Sequence, residues 1–176
     1  MMKNVILAGF GGQGVLTMGL FLAHAGMTEG KKVAYVPAYG AEMRGGTANC
    51  TVTISDRDIS SPVVAYPQAA VVMNHPSLDK FESLVHREAA RTDIRSYAIP
   101  AQELANQVGL ASGSNMVMLG VLLQLTNLIN NDNIYDYLLK TFKGKYLDKM
   151  PLNMTTIKAG REYAANMIKA NNRNIA

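Results

Sequence analysis

Six residues near the start of the chain, Gly9-Phe10-Gly11-Gly12-Gln13-Gly14, have the types and spacing of a turn that holds an anion. Glycines let the backbone turn tightly, and they let a phosphate approach the N–H groups exposed at a helix start. The spacing fits G-x-G-x-x-G, the dinucleotide fingerprint, which is not specific by itself. Its surroundings add weight. An apolar run, Val5-Ile6-Leu7-Ala8, precedes it, and an uncharged run, Val15 to Thr28, follows. That order is strand, turn, helix. A nicotinamide-binding fold would add a carboxylate about 20 residues later, at the tip of the second strand. Here the second strand is expected at Lys32 to Val36, and Pro37-Ala38-Tyr39 follows it. The nearest acids, Glu29 and Glu42, lie before that strand and in the next loop. Nicotinamide dinucleotide held in the usual way is therefore disfavoured, which leaves another anion or none.

A second stretch carries chemistry. Pro37-Ala38-Tyr39-Gly40-Ala41-Glu42-Met43-Arg44-Gly45-Gly46 sets a carboxylate two residues from a guanidinium, between glycines. It follows strand two, at the sheet edge where open α/β proteins bind ligands. Arg44 offers a planar fork suited to phosphate or carboxylate. An ion pair between Glu42 and Arg44 that braces the loop is the competing reading, and both stay open. His75 follows a strand end at the same edge, but no nucleophile or orienting acid accompanies it. His24 reads as a core histidine and Cys50 as a small core residue. No catalytic residue and no metal site is assigned.

Composition narrows the class. The 176 residues are 48% hydrophobic, enough for one good core, so a single domain over 1–176 is expected. The single cysteine, Cys50, can form no internal disulfide and cannot ligate an iron–sulfur cluster. Zinc-type Cys/His pairs are missing. The start of the sequence has no secretory pattern and no run is apolar enough to span a bilayer, so a cytoplasmic location away from membranes is expected. The net charge is +4, and eight basic against two acidic residues fall between Lys140 and Ala176. This reads as a solvated helical surface or contact with an acidic partner. With aromatics at 7% and no motif, nucleic acid is not expected.

Strands are expected at Lys3–Ala8, Lys32–Val36, Thr47–Ser55, Ala69–Met73 and Asp93–Ile99. Helices are expected at Gln13–Glu29, from Pro76 to Glu88, from Pro100 through Val108, at Asn115–Ile129, after Asp132, and after Pro151 and Asn153. The alternation predicts an α/β, Rossmann-like fold with a largely parallel sheet flanked by helices. Neither Asn4–Thr28 nor Leu104–Asn131 contains a formal charge. A helix without charge on any face is normally buried all round, which predicts a substantial subunit interface.

The two motifs together resemble the gamma subunit of the 2-oxoacid:ferredoxin oxidoreductases. That family reads G-x-G-G-Q-G near its N-terminus and P-x-Y-G-x-E-x-R-G-G some two dozen residues later. Ser61-Pro62, Asn74-His75-Pro76, Ile99-Pro100-Ala101 and Ser114-Asn115-Met116 with Leu119-Gly120 also match. The resemblance implies a multi-subunit, thiamine-diphosphate-dependent enzyme that converts a 2-oxoacid and coenzyme A to acyl-CoA, carbon dioxide and reduced ferredoxin. It implies thiamine diphosphate on alpha and beta partner subunits and 4Fe-4S clusters on a ferredoxin-like delta subunit. The isolated chain would be inactive, and could pair with itself. Coenzyme A would contact Gly9, Gly11, Gly12, Gln13, Gly14, Tyr39, Glu42, Arg44, Gly45 and Asn115. The resemblance leans to 2-oxoglutarate or a branched-chain acid over pyruvate. The chain departs from the family pattern at Val85–Thr92, which leads straight to Asp93 without a glycine-rich turn and a further apolar strand. A stand-alone NAD or flavin enzyme, and a purely architectural subunit, are the alternatives.

Overall fold

A computed structural model describes residues 2–39, 47–86, 94–129 and 148–173. The chain divides into two compact units, Met1–Ala98 and Ile99–Ala176.

The first unit is a four-stranded sheet with helices. Strands β1 (Met2–Phe10), β2 (Lys32–Tyr39), β3 (Thr47–Ser55) and β4 (Ala69–Val72) lie in the order β2-β3-β1-β4. β1 and β4 pair in parallel, while β3 runs antiparallel to both β2 and β1. Three of the four strands therefore share one direction, and β3 is the reversed one wedged among them. The direction of β3 places the ends of β1, β2 and β4 and the start of β3 at one rim.

Helix α1 (Val15–Thr28) covers one face. It approaches closely because Gly19 stands against Cys50 and Tyr35, and Gly26 against Val33 and Ile54. Gly30, at φ 71°, ends α1, and the Lys31 N–H donates to the Gly26 carbonyl five residues back. Side chains alternate along β1. Leu7 pairs with Cys50 on the α1 side, whereas Ile6 and Ala8 cluster with Phe81 of helix α2 (His75–His86) on the other.

The second unit is helical in its described residues. It comprises α3 (Ala101–Val108), α4 (Ser114–Thr126) and α5 (Met150–Arg173). Pro100 starts α3, and Gly109 at φ 87° ends it. Ala101, Ala105 and Val117 form a shared α3–α4 cluster. At the α4–α5 crossing the backbones nearly touch. A Cβ on Gly120 would stand 2.0 Å from the Ile157 carbonyl oxygen, and one on Gly160 would stand 2.1 Å from that of Val117. Among the described residues no helix is long and apolar enough to cross a membrane.

Two expectations change. Residues 94–99 form no strand, and 93 lies outside the described residues. Their Ile and Tyr content favours strand, but strand preference is realised only beside a partner, and no ladder reaches them. The charge-free α4 needs no second subunit to cover it, because residues 115–123 are buried within this chain except Met118. The helix expected after Asp132 lies outside the described residues.

Candidate phosphate-binding rim

The glycine run joins β1 to α1. Phe10 is the last strand residue, and the Gln13 N–H donates to its carbonyl at 3.1 Å, closing a four-residue turn. Gly12 takes φ 97° inside that turn, and Gly14, at φ 74° and ψ 19°, is the N-cap of α1. Both conformations disfavour any residue with a Cβ. Gly11 and Gly12 are exposed. Among the described residues no side chain caps α1, and its first turn holds no acid to offset the positive end of the helix dipole.

Gln13 folds back toward the sheet. Its Oε1 accepts from the Phe10 N–H and from Asn74 Nδ2, each at 2.7 Å. Its Nε2 donates to the Met73 carbonyl at 3.2 Å. Asn74 is the residue before α2, and its Oδ1 accepts from the Ser77 N–H at 2.9 Å, as a helix cap does. Gly9 makes room for this: a Cβ there would stand 2.8 Å from Gln13 Oε1 and 2.9 Å from Val15 Cγ1.

The second motif begins at the same rim. Tyr39 pairs across β3 with Ala48, and Ala48 pairs with Gly9. Tyr39, Ala48 and Gly9 thus form one row, with Tyr39 about 10 Å from Gly9 by two strand spacings. Thr47, where the chain returns, pairs with Phe10. Glu42, Arg44 and Gly45 lie outside the described residues. Asn115 sits in the first turn of α4, 8% exposed, in the other compact unit.

Three residues at this rim escaped the sequence reading as site elements. Asn74 had a signal, since asparagine just before a proline-led helix is a preferred cap. Met73 contributes only its carbonyl, which leaves no trace in sequence. Lys80 donates to Thr47 Oγ1 at 3.2 Å and brings a cation to the edge, a tertiary contact that periodicity does not encode. His75 is exposed at the first turn of α2. Cys50 is sealed under α1, and burial pushes its thiol up to about 12, so it is no nucleophile at neutral pH. Among the described residues no group of three metal-ligating side chains converges.

Strand, glycine turn and helix start, on a mostly parallel sheet flanked by helices, define a Rossmann-like α/β protein. The chain belongs to the pyruvate ferredoxin/flavodoxin oxidoreductase family, whose pattern matches residues 4–163. It is 39% identical over 175 residues to the ketoisovalerate oxidoreductase subunit VorA of Methanothermobacter marburgensis, covering 92% of this chain and 36% of that one. It is 32% identical over 150 residues to the 2-oxoglutarate synthase subunit KorC of Methanocaldococcus jannaschii, covering 76% of this chain and 80% of that one. The chain thus spans about a third of the length of the VorA relatives it matches. Its fold is that of the keto/oxoacid ferredoxin oxidoreductase gamma subunit from Geobacter sulfurreducens, with TM-score 0.76 and 22% identity over 93% of this chain and 99% of that one. The 2-oxoglutarate:ferredoxin oxidoreductase of Magnetococcus marinus, solved with 2-oxoglutarate, coenzyme A and succinyl-CoA bound, gives 0.80 at 22% identity over 94% of this chain and 31% of that one.

Proposed function

We propose that this chain is the gamma-type component of a multi-subunit 2-oxoacid:ferredoxin oxidoreductase and contributes to binding coenzyme A. The reading rests on one observation above all. The glycine turn and Tyr39 of the second motif stand in one row across the sheet, Gly9–Ala48–Tyr39, at the rim where β1 and β2 end.

Coenzyme A is a polyanion. Backbone N–H groups of the turn from Gly11 to Gly14, apart from that of Gln13, which donates to Phe10, would receive its phosphate at the positive end of α1. Arg44 would neutralise that charge, Glu42 and Gly45 would shape the second loop, and Tyr39 would offer a ring to the adenine. Asn115 would supply a further polar contact. Thiamine diphosphate, held on alpha and beta partner subunits, would supply the decarboxylation chemistry. 4Fe-4S clusters on a delta subunit would pass the electrons to ferredoxin. The chain alone would be inactive in the cytoplasm of its cell. The relatives named for ketoisovalerate and 2-oxoglutarate favour a branched-chain or dicarboxylic 2-oxoacid for the complex.

The test is Arg44→Ala in the assembled enzyme. The KM for coenzyme A should rise about tenfold, as loss of a charged hydrogen bond does, while the subunits still co-purify. An unchanged KM with intact assembly would contradict the coenzyme A role. Loss of assembly with coenzyme A binding retained would make the loop structural.

A further inference from the structure

We infer that Gln13 is a positioning residue that locks the glycine turn to the start of α2, and that Asn74 is the second half of the lock.

Four hydrogen bonds carry this. Each amide is oriented by a backbone group that cannot reverse its polarity. The Phe10 N–H demands the oxygen of Gln13, and the Met73 carbonyl demands its nitrogen. The Ser77 N–H demands the oxygen of Asn74, which leaves the Asn74 nitrogen facing Gln13 Oε1 at 2.7 Å. The result is a directed chain from the last residue of β1, through two side-chain amides, to the first turn of α2. Both lone-pair directions of Gln13 Oε1 are occupied, so its oxygen faces the sheet and not a ligand.

Gly9 completes the device, because a Cβ there would collide with that oxygen. The letters of the motif then divide by task. Gly12 and Gly14 set the backbone path through positive φ, Gly9 vacates space, and Gln13 fills it. A turn built of glycines loses much conformational entropy on ordering, so an external brace is what gives it a fixed shape before a ligand arrives. Its consequence for affinity rests on the coenzyme A reading proposed above.

The test compares three variants of the full chain in the assembled enzyme. Gln13→Ala should raise the KM for coenzyme A about tenfold through misplacement of the turn, with the KM for the 2-oxoacid unmoved. Gln13→Glu should do no better than alanine, since it puts an oxygen against the Met73 carbonyl. Asn74→Ser keeps a capping oxygen for Ser77 but is too short to reach Gln13. It should reproduce the Gln13→Ala effect, and the double variant should be no worse than the poorer single one. Additive losses, or a wild-type KM in Asn74→Ser where Arg44→Ala raises it, would overturn the lock. Hydrogen exchange in the free chain reads the same coupling without ligand: Asn74→Ser should speed exchange at residues 11–14, and unchanged exchange there would also overturn it. If Arg44→Ala raises the KM while Gln13→Ala does not, only the lock fails. If Arg44→Ala has no effect but exchange responds, the lock stands and the coenzyme A role fails.

Discussion

Helices α1 and α4 both lack any Asp, Glu, Lys or Arg, yet they meet that condition differently. α1 lies on a sheet. Its inner side, including Met18, Phe21, Leu22 and Ala25, is buried, while Leu20 is 40% and Met27 51% exposed. α4 lies among helices; eight of its thirteen residues are buried and none is exposed. The two also differ in what opposes their glycines. Gly19 of α1 faces side chains, those of Cys50 and Tyr35. Gly120 of α4 faces the backbone of α5. A side chain can be trimmed or rotated, whereas a carbonyl on a packed helix cannot. The absence of charge therefore reports burial against something. Whether that something is a sheet, another helix or a second protein depends on packing that composition does not record.

The largest effect should come from Gly120→Ala. Its new methyl would meet the Ile157 carbonyl, the helices would have to part, and stability to urea should fall by about 3 kcal/mol. A loss under about 1 kcal/mol would mean that α4 and α5 can separate freely, and the contrast would vanish.

Gly19→Ala should cost less, about 1–2 kcal/mol, because its methyl would stand 2.5 Å from Cys50 Sγ. Combining it with Cys50→Ala should recover part of that loss. No single side-chain deletion should recover Gly120→Ala. Equal behaviour of the two helices in this rescue would refute the distinction between side-chain and backbone opposition.

The seat of α1 can also be probed chemically. Cys50 is buried, its Sγ lies 3.5 Å from the Val15 carbonyl, and its thiol is held up to about 12 mainly by burial. Iodoacetamide should label it only as fast as the chain unfolds. Rapid labelling in native buffer would show that α1 lifts off the sheet.

On the outer side of α1, Leu20→Ala should change stability by no more than about 0.5 kcal/mol, against about 3 kcal/mol for Leu119→Ala in α4. Thermal melts of the two variants side by side would decide this.

The smallest effect lies where charge resumes after α1. Lys31 pairs with Asp56 just past the end of β3. The Lys31 ammonium holds the Asp56 carboxyl down at about 2, and Asp56 raises Lys31 above its ordinary 10.5. A lowered carboxylate contributes stability above its ordinary 3.8 and loses it as pH falls toward about 2. The lysine's share is present at neutral pH and disappears as pH climbs past 10.5. Asp56→Asn should flatten slightly the melting temperature between pH 4 and 2, and both ends of the pair are exposed enough for salt to weaken it. An unchanged acid profile would show that the pair contributes nothing.

Much of the first unit was legible. Alternating Thr and Val placed β3 at Thr47–Ser55, and the glycine run fixed the β1–α1 junction. Sheet order was not legible, because alternation says which residues share a face and not which neighbour or direction a strand takes. That is why β3 between β2 and β1 is new, and why residues 94–99, sound in composition, form no strand. Within the site, Gly12 and Gly14 were readable because each answers a local backbone demand. The work of Gln13 was not, since the fingerprint leaves its place unspecified and its partners lie some 60 residues away.

The row through Gly9, Ala48 and Tyr39 bears on how this architecture can be remodelled. The segment between Tyr39 and Thr47 departs from one strand and re-enters on its immediate neighbour, so both anchor points are fixed by the β2–β3 ladder. A cassette of different length or chemistry can be grafted there without disturbing the register of the sheet. The glycine turn between β1 and α1, held by its own contacts to Met73 and Asn74, stays as built.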